Sequence, residues 1–172
     1  MIVYIESNFV LELALLQEQH ASCAKIVRLC EANRILLVLP AYSLAEPYET
    51  LIRRHKQRKD LTKELEVELK QLARTKTYAQ YFNEIQSMKA FLTDSADEEV
   101  KRLEDVRLRL LKIAKIIPLD APILNEATKL QDVHDLSPQD SLMYGAITLH
   151  LKQGDSTESC FLTRDEHFND PD

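Results

Sequence analysis

Glycine is almost missing from this chain, with only Gly145 and Gly154 among 172 residues. A G-x-G-x-x-G dinucleotide turn and a phosphate-cradling P-loop each need several glycines so that backbone can approach phosphate closely, so nucleotide cofactors held in those ways are excluded. Cysteine is scarce too. Cys23, Cys30 and Cys160 are odd in number and contain no C-x-x-C pair, which argues against a disulfide framework or a zinc knuckle and makes buried thiols the expectation. No stretch approaches the roughly 18 apolar residues of a membrane span, and the amino terminus has neither a basic region nor a small-residue cleavage site. A cytoplasmic protein without membrane contact is expected. Positive charge is also in deficit: a net charge of −6 argues against coating nucleic acid by bulk electrostatics, so any RNA contact must be focal.

What is present starts with Met1-Ile-Val-Tyr-Ile-Glu-Ser-Asn8. Ile2 to Ile5 are β-branched or aromatic without polar alternation, the pattern of a parallel strand buried on both faces, and Glu6 falls at its carboxyl end. A carboxylate beside such a run is costly unless a cation or hydrogen-bond donors meet it. Phe9, Val10, Leu13 and Leu16 then recur at helical spacing, and a second helix is expected from His20 or Ser22 to a stop at Asn33. Ile35 to Leu39, closed by Pro40, reads as a second strand. Ser43-Leu44-Ala45-Glu46 after it has the S-x-x-E pattern of a capping box opening a helix.

That helix carries Arg53-Arg54-His55-Lys56-Gln57-Arg58-Lys59, five fixed cations in seven residues. Such a run is ordinarily a solvated face, favoured near a helix carboxyl end, and contact with phosphate is its functional alternative. From about residue 61 to 117 the apolar spacing suits two or three long helices. Leu61, Leu65, Leu69 and Leu72 mark one core stripe, and Tyr81, Ile85, Met88 and Leu92 a second. Val100, Leu103, Val106, Leu110, Ile113 and Ile117 mark a third, and Asp94 to Asp97 is the clearest break. Ile116 to Leu119 suggests a short third strand, Ala121 to Gln131 a helix, and Ser137-Pro138-Gln139-Asp140 a strong helix start. Gly145 inside that helix costs about 1 kcal/mol relative to Ala, so a close backbone approach is expected there. Ser159 to Thr163 reads as a fourth strand, followed by Arg164 and Asp165, where Thr163 and Glu166 could again form a capping box.

Strands alternating with helices imply a parallel sheet with right-handed crossovers, and its strand carboxyl ends share one edge, where ligands bind. Glu6, Glu46, Asp140 and Asp165 all fall on that edge. Carboxylates gathered there repel one another, and a hard divalent cation with oxygen ligands, Mg²⁺ or Mn²⁺, is the common remedy.

Tyr4-Ile-Glu-Ser-Asn8, Leu44-Ala-Glu46, Ile117-Pro-Leu-Asp120, Leu136-Ser-Pro-Gln-Asp-Ser-Leu142 and Leu162-Thr-Arg-Asp-Glu-His-Phe168 resemble, in order, the signatures of the PIN-domain family. The resemblance covers residues 1–54 and 116–170, with about 55–115 as an enlarged helical elaboration of one domain. It implies an α/β three-layer fold, a central parallel sheet of about four strands flanked by helices. It also implies a metal-dependent ribonuclease of the kind found as toxins in bacterial toxin–antitoxin pairs. Carried over residue by residue, Glu6, Glu46, Asp140 and Asp165 surround Mg²⁺ or Mn²⁺, with Asn8 and Thr163 as supporting polar residues. Apart from that carry-over, Arg53, Arg54 and Lys56 of the basic run are the candidate phosphate contacts. Partners to be expected are an RNA substrate, an antitoxin protein and a second copy of the chain.

Two features depart from the family pattern. The first acid is normally Asp. Glu6 pushes its carboxylate about 1.5 Å further out, one C–C bond length, and displacements of about 1 Å can cost on the order of 100-fold in rate. The chain also stops at Asp172, before a final edge strand usual in the family, which suggests a shortened form. A catalytically weak PIN-like module binding RNA or a protein is therefore the main competitor. A phosphoacceptor receiver-like domain shares the acidic edge but lacks an acidic pair after the first strand.

Overall fold

A computed structural model describes residues 1–78, 82–154 and 158–164. Among the described residues there are four strands, β1 (Ile2–Ile5), β2 (Leu36–Pro40), β3 (Lys115–Ile117) and β4 (Ser159–Leu162), and six helices, α1 (Ser7–Leu15), α2 (His20–Glu31), α3 (Tyr42–Leu72), α4 (Phe82–Ile113), α5 (Ala121–His134) and α6 (Pro138–Gln153). All three strand pairings are parallel, in the order β3-β2-β1-β4. The fold is thus the α/β arrangement expected from the alternation of strand and helix patterns. The chain runs outward from β1 to β2 to β3 and then returns to place β4 on the other side of β1, so the topological switch point lies between β1 and β4.

The central strands are buried because every residue from Val3 to Ile5 and from Leu37 to Pro40 is covered. Successive side chains point to opposite faces. Tyr4 and Val38 face one core with Ile117 from β3, Ile123 from α5 and Met143, Ala146 and Ile147 from α6. Start and stop signals act as their chemistry predicts. Asp120 caps α5 by accepting from the Ile123 N–H at 3.1 Å, Ser137 caps α6, and Asn33 takes the left-handed conformation (φ 55°) just past α2. Gly145 lies where α6 meets α5: a Cβ there would sit 3.2 Å from the Ala127 backbone nitrogen, so the close approach expected at this glycine is real.

Three expectations are corrected. Asp94 to Asp97 does not break a helix, because α4 runs through it; the stretch holds no Gly or Pro, and Ser95 turns its hydroxyl back to the Leu92 carbonyl at 3.2 Å. The turn between the long helices falls instead at 73–78. Of the Leu stripe on α3, only Leu69 is buried, while Leu61, Leu65 and Leu72 are 37–48% exposed. Met88 of the second stripe is exposed too, and Tyr81 lies outside the described residues. Of the cysteines, Cys23 and Cys30 are buried but Cys160 is exposed, because β4 is an edge strand.

The chain divides into two compact units, residues 1–47 with 103–172, and residues 48–102. The first division follows Pro47, which lies inside α3 and cannot donate a helical hydrogen bond. The second unit is tied by Glu99, 8% exposed, whose carboxylate takes both Arg58 guanidinium nitrogens at 2.8 and 3.0 Å and His55 at 3.4 Å. Burial would raise its pKa, but these partners outweigh burial and hold it below the usual carboxylate range. Among the described residues, no helix is long and apolar enough to cross a membrane.

In the first unit β1 and α6 are joined by the Tyr4 hydroxyl and His150 Nδ1, 2.7 Å apart. Burial, and then the charge of Lys115, lower the His150 pKa below its ordinary 6.5. Above pH 6.5 the imidazole is neutral in both folded and unfolded chains. As the pH falls below it, the unfolded chain takes up the proton first, so stability drops until the folded-state pKa is passed. His150→Gln should remove this component. Urea midpoints followed from about pH 7.5 to 5 should fall less steeply for the variant than for the wild type, and parallel curves would show that His150 does not contribute.

Candidate acidic site at the switch point

Glu6 immediately follows β1 and is the N-cap residue of α1, in extended conformation (φ −117°, ψ −176°). Its carboxylate is not used to cap that helix. Instead Oε1 accepts the backbone N–H of Arg164, two residues beyond β4, at 3.0 Å. Only 5% of Glu6 is exposed. Its placement is explained by the sheet: β1 and β4 pair from Ile2↔Ser159 to Ile5↔Leu162, so the residues that follow them emerge side by side.

Glu46 departs from its expected capping box. Helix α3 begins at Tyr42, so Ser43 already lies inside it. The Ser43 hydroxyl is buried without a hydrogen-bond partner among the described residues. Glu46 is thereby free to reach another element, and its Oε2 accepts the Ser7 hydroxyl. Ser7 adjoins Glu6, so the acids following β1 and β2 are held at neighbouring positions, as the parallel order requires. Asp140 keeps its local role: its N–H donates to the Ser137 Oγ at 3.1 Å and its Oδ2 accepts the same hydroxyl at 2.6 Å. Asp165 and Glu166 lie outside the described residues. Among the described residues, no three His, Cys, Asp or Glu side chains are grouped to hold a metal ion.

The donor chemistry nevertheless fits a hard cation. Glu6 Oε2 and Glu46 Oε1 make no hydrogen bond within the described residues, while their partner oxygens are each oriented by a single donor. Two carboxylates with an available oxygen each, beside a serine hydroxyl, are oxygen ligands of the type that Mg²⁺ and Mn²⁺ prefer.

An ion pair between the buried Glu12 and the largely exposed Arg164, beside Glu6, was not anticipated. Glu12, 1% exposed, receives the Arg164 guanidinium at Oε1 and the Gln19 backbone N–H at Oε2, the latter at 2.8 Å. One residue therefore meets both buried acids, Arg164 donating its backbone N–H to Glu6 and its side chain to Glu12. Gln19 is the N-cap residue of α2, so the Glu12 carboxylate also ties α1 to the next helix. The sequence did carry a signal: Glu12 interrupts an otherwise apolar run from Phe9 to Ala14. A pocket of about 330 Å³ opens here, on the β4 side of Glu6, with Asn8 and Thr163 among its lining residues.

Of the basic run, Arg58 and His55 are engaged with Glu99. Arg53 and Lys56 are exposed and Arg54 is half-buried, and none of the three is paired among the described residues.

A family model described as PIN domain matches residues 3–168. No curated protein and no solved structure matches the chain.

Removing Arg164 should leave Glu12 buried without its counter-ion. Arg164→Met is expected to cost about 2 kcal/mol, between the ~1 kcal/mol of exposed pairs and the 3–5 kcal/mol of fully buried ones, because the arginine side chain is itself 54% exposed. Adding Glu12→Leu should recover much of that loss. A double-mutant cycle on urea unfolding measures the coupling, and additive costs would show that the pair is not a stabilising unit.

Proposed function

Because the chain belongs to the PIN-domain family, whose members are generally nucleases that use divalent metal ions, we propose that it is an Mg²⁺- or Mn²⁺-dependent endoribonuclease. The observation that carries this reading is Glu6: a carboxylate at the end of the central strand, buried yet not used for capping, with one oxygen oriented by Arg164 and the other available. Glu6 and Glu46, together with Asp140 and Asp165, would hold the metal. Bound there, a divalent ion supplies Lewis acidity that activates water and stabilises charge on the phosphorus-bound oxygens. The protein's own groups set the geometry. Ser7 orients the Glu46 carboxylate, the Arg164 N–H orients that of Glu6, and Asn8 and Thr163 offer polar groups at the rim. Arg53, Arg54 and Lys56, unpaired among the described residues, supply cations for RNA phosphates. As the toxin of a toxin–antitoxin pair, the chain would be held inactive by a protein antitoxin. Growth arrest on expression, relieved by Asp140→Asn, tests that role, and unimpaired growth speaks against it.

A second reading is favoured by one specific feature. Glu6 is a methylene longer than the family's usual Asp and one of its oxygens is already bound by Arg164, which suits a weakly catalytic module that binds RNA or a protein.

Purified protein should cleave mixed single-stranded RNA with Mg²⁺ or Mn²⁺, and EDTA should abolish cleavage. Asp140→Asn should lower the rate by at least about 100-fold, beyond the 10–100-fold of typical outer-shell changes. Absence of cleavage with either metal favours the binding module, and a large gain in Glu6→Asp would identify the longer side chain as the cause.

Neutralising Arg53, Arg54 and Lys56 together to Gln should weaken RNA binding at every sequence. The slope of log K against log salt should fall by about 2, at roughly 0.7 for each phosphate contact to a single strand. An unchanged slope would mean that these cations are only a solvated face.

A further inference from the structure

The pocket beside Glu6 lies on the β4 side of the acid, and neither Glu46 nor Asp140 lines it. Its apolar part comes from Phe9, Cys23, Ile26 and Leu162. Its polar rim is formed by Asn8, Gln19 and Ser22, three exposed side chains with no hydrogen-bond partner among the described residues. Among the described residues, the charged groups around it are Glu6, Glu12 and Arg164, and the Arg164 guanidinium is already committed to Glu12, with Glu18 at 3.6 Å.

From this arrangement we propose that the pocket is a subsite for one unpaired nucleobase of the RNA strand, adjoining the phosphate that is cleaved. The inference rests on the ribonuclease reading and specifies its substrate. A volume of about 330 Å³ is at the small end of ligand sites and suits one base rather than a stacked pair. A base has apolar faces and a hydrogen-bonding edge, which match the apolar side chains and the neutral donors and acceptors of the rim. Phosphate is the poorer occupant. Among the described residues two carboxylates stand against one guanidinium, so the balance they give the pocket is negative. Burial and the neighbouring Glu12 also push the Cys23 pKa up, keeping that thiol neutral as part of the apolar surface. A base must leave its stack to enter, and that costs least in a single strand.

The test uses single-stranded oligoribonucleotides in which an abasic ribonucleotide is moved through the positions flanking the cleaved bond. For the wild type with Mn²⁺, one position should stand out, where loss of the base lowers kcat/KM by about 5- to 150-fold, the range that base stacking supplies. In Ser22→Trp, an indole on the rim should occupy the pocket. Intact RNA should then be cut at the rate of the abasic substrate and the positional effect should vanish, while Mn²⁺ affinity, followed by electron paramagnetic resonance, and thermal unfolding remain those of the wild type. If the wild type cuts every abasic substrate equally well, the nucleobase subsite is overturned while the nuclease stands. A folded Ser22→Trp that keeps the positional effect overturns it too, and the wild-type scan decides alone should that variant not fold. A wild type that cuts no RNA with either metal removes the ribonuclease reading and this inference with it.

Discussion

The structure around the switch point depends on the burial of two carboxylates, Glu6 and Glu12, within a single short segment. An uncompensated carboxylate in an apolar setting is costly enough that it would sooner be protonated or exposed. Arg164 removes that cost for both at once, with its backbone N–H to Glu6 and its guanidinium to Glu12. The pairing is possible only because β4 lies next to β1 in parallel register, which brings residues 158 positions apart to hydrogen-bond distance.

The same constraint shapes what surrounds the site. Glu12 also receives the Gln19 N–H, so the start of α2 is set by the residue that holds Arg164. With α1 and α2 placed in this way, a pocket remains beside Glu6 rather than a filled core. On the other side of β1, Ser7 reaches Glu46 at the beginning of α3. The acidic site and its neighbouring pocket are therefore two sides of one arrangement about the central strand. Tyr4, within that strand, meets His150 of α6 and carries the connection through to the opposite layer.

Much of this was legible in the residues. The apolar runs of β1 and β2, the Ser137-Pro138 helix start, the Asn33 stop and the close approach at Gly145 are local signals, and local chemistry decided them. The misreadings have two causes, one local and one tertiary. The polar stretch at Asp94 to Asp97 looked like a break, yet without Gly or Pro the backbone of α4 continues through it. Ser43 and Glu46 have capping-box spacing, but the helix begins at Tyr42 and Glu46 turns to Ser7, a partner 39 positions away. Cys160 was expected among the buried thiols, and strand order put it on an edge.

By itself the sequence determined the types and order of the elements, the parallel character of the sheet, and the positions of Glu6 at the end of β1 and of Glu46 near the start of the helix that follows β2. Those follow from periodicity and from the backbone preferences of single residues, which act over a few positions. Only the tertiary structure decided what the acids after the strands meet, Arg164 at Glu6 and Glu12 and Ser7 at Glu46, whereas Asp140 keeps the local Ser137 partner of its own helix start. A hydrogen bond is decided by distance and direction in space, and between residues far apart in the chain these are set by strand order and packing.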